Sequence, residues 1–180
     1  MNFMTVLKVI LIQTTENILL STFPVKQQLY DYDCADTAFW CVLHYFGSNI
    51  TYDEIIKILH TDPAEGTYNI NIIKALDQLE VKYIAESSTI EKLRDYAFQN
   101  YPTVIDIQYR KEKGKSWANL WLEGHYEVVL EVTDTEVKLM DPDYGQIRSM
   151  PINKLLEAWH DEDADVKYQN YAITCFSKEK

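Results

Sequence analysis

Apolar residues recur every three or four positions through much of the first half of the chain. In DCADTAFWCVLHYFG (33–47) this spacing predicts a helix that begins after the N-cap residue Asp33 and ends near Gly47. The same spacing predicts three more helices, over 51–60, 69–80 and 88–100. Two of these helices begin with residues at the spacing of a capping box, which are Thr51 with Glu54 and Ser88 with Glu91.

After Pro102 the pattern changes to segments rich in β-branched and aromatic residues. These segments predict strands over 103–109, 125–133, 136–141, 145–151 and 168–177, with one more helix over 152–160. Because helices are concentrated in the first half and strands in the second, the sequence predicts an α+β fold. In it, the helical first half packs on an antiparallel β-sheet formed by the second half.

The composition predicts a globular protein that does not bind nucleic acid. The chain has 180 residues, a hydrophobic content of 47% and a formal net charge of -11, so one domain with a substantial core is expected. Such an acidic chain is repelled by the phosphate backbone of nucleic acids. The three cysteines are an odd number, which does not suggest a disulfide framework.

The amino-terminal segment FMTVLKVILI (3–12) is apolar but is interrupted by Lys8. It is shorter than the about 20 apolar residues of a spanning helix, and it lacks the basic region and the cleavage site of a signal peptide. We therefore expect residues 1–23 to form an extension packed on a domain over 24–180, without stable membrane insertion. The protein is predicted to be cytoplasmic, or secreted without a recognisable cleavable signal.

Cys34 lies where an acidic, polar run gives way to the first predicted helix. Unpaired amide groups in the first turn of a helix favour a thiolate, and a nucleophilic thiolate needs a base and a group that orients the base. His125 opens a predicted strand and Asp141 ends the next one, so a hairpin would bring the two together. His160, in contrast, is expected to end a late helix in solvent.

Several motifs resemble the peptidase C39 family when they are taken together. They are QQLYDYDC with Gln28 six residues before Cys34, YFGSNITYDEIIKIL, YPTVIDI, GHYEVVL and DPDYG, in that order over about 24–160. The family consists of papain-like cysteine peptidases of bacteria, best known as the leader-cleaving domains of bacteriocin exporters. The resemblance implies a papain-like fold and cleavage of a peptide or isopeptide amide in a peptide or protein substrate.

Residue by residue, the resemblance assigns four catalytic roles. Cys34 matches the nucleophile, His125 the general base, Asp141 the residue that orients the base, and Gln28 the side chain of the oxyanion hole. No metal or cofactor is implied. No ATP-binding or membrane domain follows the motifs, so a stand-alone member is expected.

The sequence departs from the family pattern at three places. Ala35 follows the cysteine where the family usually has glycine, and Glu127 replaces a residue that is usually apolar. The segment 110–124 is longer than expected and carries a basic cluster. We predict that its Trp117 and Trp121 bind substrate, and that its lysines attract an acidic substrate segment.

The acidic surroundings of Cys34 keep other functions open. Moving the pKa of a thiol from about 8.5 to about 4 takes roughly 6 kcal/mol, of which a helix terminus supplies at most about 2 kcal/mol. Since Asp31, Asp33 and Asp36 oppose a thiolate, the imidazolium of His125 has to supply most of the rest. The alternatives are a catalytically silent binding domain, and a deamidase or acyltransferase that uses the same residues.

Overall fold

The computed structural model describes residues 18–111, 113–121 and 123–176. Its helices are α1 (Ile18–Thr22), α2 (Cys34–Tyr45), α3 (Tyr52–Leu59), α4 (Asn69–Gln78), α5 (Ile90–Phe98) and α6 (Ile152–Ala158), with a short 3-10 helix at Trp117–Asn119. The strands are β1 (Lys82–Ser87), β2 (Thr103–Gln108), β3 (Gly124–Val132), β4 (Glu136–Asp141), β5 (Gln146–Pro151), β6 (His160–Asp163), β7 (Val166–Gln169) and β8 (Tyr171–Phe176). The predicted α+β class is confirmed.

Six of the strands form one antiparallel sheet in the order β1-β8-β2-β3-β4-β5. Strand β3 lies inside this sheet and is buried on both faces for most of its length. Val128 and Leu130 on one face belong to a core cluster with Phe39 of α2. Val129 on the other face belongs to a second cluster, which includes Trp159 after α6. Helices therefore cover both faces of the strand that begins with the predicted catalytic histidine.

The β3–β4 hairpin brings the start of one strand beside the end of the next, as the sequence predicted. The two strands pair antiparallel, with Val128 opposite Met140. His125 at the start of β3 is thereby brought to the same edge of the hairpin as Asp141 at the end of β4. The geometry of the candidate site thus depends on the register of this one hairpin.

Some local predictions were wrong. The capping box at Ser88 does not form, because Thr89 occupies the N-cap position of α5 and accepts the backbone N–H of Lys92. The predicted strand over 168–177 is divided by Asn170 at a positive φ of 53°, and β7 pairs with β6 in a separate hairpin. Strand β1 was missed, because its burial does not alternate regularly. The Thr51 capping box is confirmed.

The amino-terminal part of the described chain packs on the domain. Leu19 and Phe23 are buried in the first core cluster, and the backbone N–H of Leu19 donates to the side chain of Asn100 at 3.1 Å. The apolar segment 3–12 lies outside the described residues, and a boundary after residue 23 stays a prediction. Among the described helices, each is too short or too polar to cross a membrane.

Candidate active site

Cys34 is the first residue of α2 and is half-buried. The loop before it is held by Asp33, whose fully buried carboxylate accepts the backbone N–H groups of Leu29 and Tyr30 at 3.2 and 3.0 Å. The hydroxyl of Tyr52 on α3 donates to the same carboxylate at 2.9 Å. Asp33 precedes the helix as predicted, but its side chain does not cap it. Instead it fixes the path of the chain toward Cys34.

The acidic surroundings of Cys34 carry less charge than the sequence suggests. Asp36 is fully buried on α2 and accepts a hydrogen bond from the hydroxyl of Thr61 at 2.8 Å. Burial raises the pKa of Asp36 to about 7, so this carboxyl is partly neutral near neutral pH. Its opposition to a thiolate at Cys34 is reduced accordingly.

His125 and Asp141 form a buried hydrogen-bonded pair. The His125 Nε2 atom lies 3.0 Å from Asp141 Oδ1, and the imidazole stacks on the ring of Tyr109 with a centroid distance of 4.1 Å. Burial alone would lower the pKa of His125, but the hydrogen bond to Asp141 and the interaction with the Cys34 side chain outweigh it and raise the pKa to about 10. The site therefore favours an imidazolium beside the Cys34 sulfur.

The carboxylate of Asp141 is fixed by further partners. Its Oδ1 atom accepts the backbone N–H of Asp143 at 2.9 Å, and its Oδ2 atom forms an ion pair with Arg148 Nε at 2.9 Å. Burial opposes the charge of Asp141, yet the contacts with His125 and Arg148 hold the pKa of this carboxyl below its ordinary value. Asp141 is therefore ionised where it meets the imidazole.

Glu127, the residue found at a usually apolar position, is fully buried and pairs with Arg148. Burial raises the pKa of Glu127 to about 7, although His125 and Arg148 favour its charged form.

His125, Glu127 and Asp141 have ligand atoms within 4.8 Å of one another, as a metal site would require. Because the Arg148 guanidinium already contacts both carboxylates, these residues do not fit a metal ion. Sequence reasoning missed Arg148, and the only signal for it was the unexplained Glu127.

Gln28 lies in the loop that leads to Cys34. Its backbone N–H donates to the carbonyl of Pro142, the residue after Asp141, at 2.9 Å. Its side-chain Nε2 donates to the carbonyl of Tyr30 at 2.6 Å, and its Oε1 is buried without a hydrogen-bond partner among the described residues. One amide hydrogen is thus engaged, and the second can reach another acceptor.

A groove of about 570 Å³ runs past Cys34. Aromatic residues Tyr32, Tyr68, Trp121 and Tyr126 line it. No lysine or arginine of the described chain lines it, whereas seven acidic residues do: Asp31, Glu65, Glu123, Asp161, Glu162, Asp163 and Asp165. The groove that holds the candidate nucleophile is therefore acidic, although Glu123 and Glu162 form ion pairs with Arg110 and Lys167.

The two tryptophans of the long segment lie in different places. Trp121 lines the Cys34 groove and packs against the ring of His160 with a centroid distance of 4.5 Å. Trp117 packs against the second core cluster and its Nε1 donates to the carbonyl of Tyr109 at 3.3 Å.

His160 was predicted to end a helix in solvent, and this prediction was wrong. The residue opens β6 and is buried, and its Nε2 lies 2.7 Å from the carbonyl oxygen of Leu120.

Comparisons with solved structures show which fold this chain has. The peptidase domain of Streptococcus ComA, a bi-functional ABC transporter involved in quorum sensing, has a TM-score of 0.65 at 18% identity, over 87% of this chain and 99% of that one. A putative C39-like peptidase from Bacillus anthracis has a TM-score of 0.68 at 18% identity, over 89% and 98%. A double glycine motif protease from an AMS/PCAT transporter, in complex with the leader peptide, has a TM-score of 0.63 at 14% identity, over 87% and 92%.

These structural similarities establish the fold, while the family follows from the sequence itself. A search among curated proteins gives no match. The profile of the Peptidase C39 family, in contrast, matches residues 22–179, which is most of the chain. The predicted resemblance is confirmed, and the chain belongs to the peptidase C39 family.

Proposed function

We propose that this protein is a cysteine peptidase in which Cys34, His125 and Asp141 act as the catalytic triad. The observation that carries the proposal is the buried His125–Asp141 hydrogen bond of 3.0 Å beside a cysteine that opens a helix. Nucleophile, base and orienting group are the three parts that covalent amide hydrolysis requires.

In the proposed reaction the proton of the Cys34 thiol moves to His125. Since Asp141 occupies Nε2, Nδ1 is the ring atom that accepts this proton. The thiolate attacks the carbonyl carbon of the substrate, and the imidazolium then protonates the leaving amine as the carbon–nitrogen bond breaks. Water, activated by the neutral imidazole, hydrolyses the resulting thioester and restores the thiol.

Gln28 is the proposed oxyanion donor, together with the backbone N–H of Cys34. The backbone bond to Pro142 holds Gln28 beside the end of β4, and the bond to the carbonyl of Tyr30 orients its side-chain amide. Its second amide hydrogen would stabilise the negative oxygen of the tetrahedral intermediate. Asp33 supports this arrangement because it fixes Leu29 and Tyr30, the residues that separate Gln28 from the helix.

The proposed substrate is an extended segment of a peptide or protein that lies in the Cys34 groove. A leader peptide with a double-glycine motif is the first candidate, by analogy with the transporter protease that has this fold. Trp121, on the groove wall, is proposed to contact the substrate. Trp117 is proposed to act indirectly, because it supports Tyr109, which stacks on His125.

The proposal is tested with a library of bacterial peptides incubated with the wild-type protein or with Cys34→Ala and analysed by mass spectrometry. We expect new peptide termini with the wild-type protein and none with Cys34→Ala. A mass gain of about one dalton without cleavage would mean that the acyl-enzyme chemistry serves deamidation. Identical spectra for both proteins would contradict the proposal and favour a silent binding domain.

A further inference from the structure

A cluster of acceptor side chains lies behind one wall of the Cys34 groove. The backbone N–H of Asn69, at the start of α4, donates to Asp163 Oδ2 at 2.5 Å, and its side-chain amide donates to Asp106 Oδ2 at 3.2 Å. Asp161 accepts from the side chain of Gln108 at 2.5 Å. We call Asn69, Asp106, Asp161 and Asp163 the acceptor pocket.

The acceptor pocket has more acceptors than donors. Asn69 Oδ1, Asp106 Oδ1 and Asp163 Oδ1 are all buried atoms without a hydrogen-bond partner among the described residues. Asn69 and Asp106 are only 1% and 2% exposed, so water cannot satisfy them from an open surface. A neutral Asp106 can donate its proton to Asp161, which leaves Asn69 Oδ1 and Asp163 Oδ1 as the acceptors without donors among the described residues. Buried acceptors without donors are costly and indicate a ligand that donates hydrogen bonds.

The pocket lies where the groove meets the first core cluster, because Tyr126 belongs to that cluster and also lines the groove. Asp106 on β2 lies directly opposite Tyr126 on β3, and residues opposite each other in an antiparallel pair project from the same face of the sheet. Tyr126, Asp161 and Asp163 all line the groove that contains Cys34. Asp106 therefore contributes its carboxyl to the same face as these residues.

Asp161 also lies close to the catalytic histidine along the chain. A Cβ atom placed at Gly124, the residue before His125, would overlap the carboxylate of Asp161. The glycine of GHYEVVL thus leaves room for an acidic group one residue from the proposed base. A ligand held by Asp161 would be held next to the reacting atoms.

We propose that the acceptor pocket binds the ammonium or guanidinium group of a lysine or arginine side chain near the scissile amide. This specificity rests on the proposed peptidase function and names its substrate class. A cation supplies the missing donors, and the acidic groove attracts it, although Glu123 and Glu162 are paired with Arg110 and Lys167. Lys167 Nζ lies 4.4 Å from the centroid of the Trp121 ring, so this wall of the groove already holds one cation over an aromatic face.

The charge balance of the pocket supports an organic cation. Burial, with the neighbouring Asp161, raises the pKa of Asp106 well above its ordinary value, and burial raises that of Asp161 to about 6. An incoming cation would favour ionisation of both carboxyls, so binding would release a proton. The pocket is not among the described groups with the close ligand spacing of a metal site.

The proposed substrate side chain is basic, whereas the sequence predicted an acidic substrate segment. The basic residues of the long segment were predicted to attract acidic substrate, but in the structure Arg110 forms an ion pair with Glu123 at 3.1 Å and Lys111 lies over the ring of Trp117. Lys111 and Arg110 border a separate cavity, on the side of Asp141 and Arg148. The wall of the Cys34 groove is acidic.

The test compares rates of Cys34 modification by a cationic reagent, 2-aminoethyl methanethiosulfonate, and a neutral one, methyl methanethiosulfonate. Cys41 and Cys175 are fully buried, and Cys34→Ala provides the background. We expect the cationic reagent to react roughly tenfold faster than the neutral one, within the range of electrostatic attraction into charged clefts. The ratio should fall several-fold in Asp161→Asn and Asp163→Asn, and should be unchanged in Asp134→Asn, an exposed residue in the β3–β4 turn.

The variant Asp106→Asn should change the melting temperature and the cation preference in opposite directions, which a purely structural role of Asp106 does not predict. Because it removes one of two neighbouring buried carboxyls, it should raise the melting temperature while it lowers the cation preference. Equal ratios in the wild type and all variants would overturn the proposal. So would a calcium-dependent rise in the melting temperature that is lost in Asp163→Asn, since the pocket would then hold a metal.

The result is separable from the peptidase proposal. If Cys34 reacts without cation preference and the protein still cleaves peptides, the pocket proposal fails and the peptidase proposal stands. If the cation preference is present but no peptide is cleaved, the pocket is a recognition site and the peptidase proposal fails.

Discussion

Arg148 Nε lies 2.9 Å from Asp141 Oδ2, on the oxygen that His125 does not use. The same guanidinium pairs with Glu127, two residues after His125 on β3. Two carboxylates and one guanidinium therefore surround the proposed base. This arrangement holds Asp141 in place and explains why an acidic residue is tolerated at the usually apolar position 127.

We expect Arg148→Met to destabilise the protein by about 3–5 kcal/mol, because it leaves Glu127 buried without its partner. The double variant Glu127→Leu with Arg148→Met should recover most of this loss, since an apolar pair of similar volume replaces the ion pair. Urea unfolding at neutral pH measures both values. A double variant as unstable as the single one would show that the pair does not account for the stability of this region.

The stability of the fold should fall as the pH rises from 5 to 8. Burial raises the pKa of Asp36 and Glu127 to about 7, so the folded state binds more protons than the unfolded state between about pH 4 and 7, and stability is lost over that interval. The pKa of His125, raised to about 10, extends the loss from about pH 6.5 to 10. Melting temperatures across this range measure it.

A matched variant identifies which carboxyl causes the loss of stability with rising pH. Asp36→Asn should flatten the decline between pH 4 and 7, because it removes one group that contributes up to about 1.4 kcal/mol per pH unit. The exposed Asp134→Asn should not change it. A melting temperature that rises steadily from pH 5 to 8 in the wild type would contradict the expected direction.

Asp33→Ala should lower the rate of peptide cleavage more than it lowers the rate of Cys34 alkylation. The change removes the acceptor for Leu29, Tyr30 and Tyr52 and so loosens the segment that carries Gln28. We expect kcat to fall about 10-fold or more, toward the 10²–10³-fold loss typical of a missing oxyanion donor. Alkylation of Cys34 by a small reagent, which needs no oxyanion hole, should change much less. Equal losses in both assays would mean that Asp33 mainly supports the start of α2.

The two tryptophans should respond differently to substitution by alanine. Trp117→Ala removes a ring packed on the second core cluster and should cost about 1–3 kcal/mol of stability. Trp121→Ala, on the groove wall, should raise KM for a cleaved peptide and should cost less stability than Trp117→Ala, because Trp121 packs on His160 and not on either core cluster of the described chain. Thermal unfolding and steady-state kinetics on both variants measure this difference. If the effects are exchanged, the assignment of Trp121 to substrate contact is wrong.

The sequence predicted the elements that bring Cys34, His125 and Asp141 to one region, because each lies at the end of a strongly patterned helix or strand. It predicted less well where burial does not follow a period. Strand β1 was missed for this reason. The break between β7 and β8 was missed because asparagine adopts a positive φ more readily than most residues but also occurs within strands, so Asn170 is only a weak signal.

The parts of the site that depend on contacts between distant segments could not be predicted. Arg148 on β5 reaches Glu127 on β3, and Asn69 on α4 reaches Asp163 on β6. Asp33 has the residue type and position of a helix cap, yet its carboxylate bonds backward to the loop. Side-chain direction, which decides each of these cases, is set by tertiary packing.

The central claim is that His125 activates Cys34, and the pH dependence of Cys34 alkylation tests it most directly. Iodoacetamide labelling of wild type, His125→Ala and Asp141→Asn should be followed by mass spectrometry from pH 5 to 9. We predict that at pH 6 the wild type reacts at least about tenfold faster than His125→Ala, with Asp141→Asn in between, because the imidazolium stabilises the thiolate. Identical rate profiles in the wild type and His125→Ala would contradict the account.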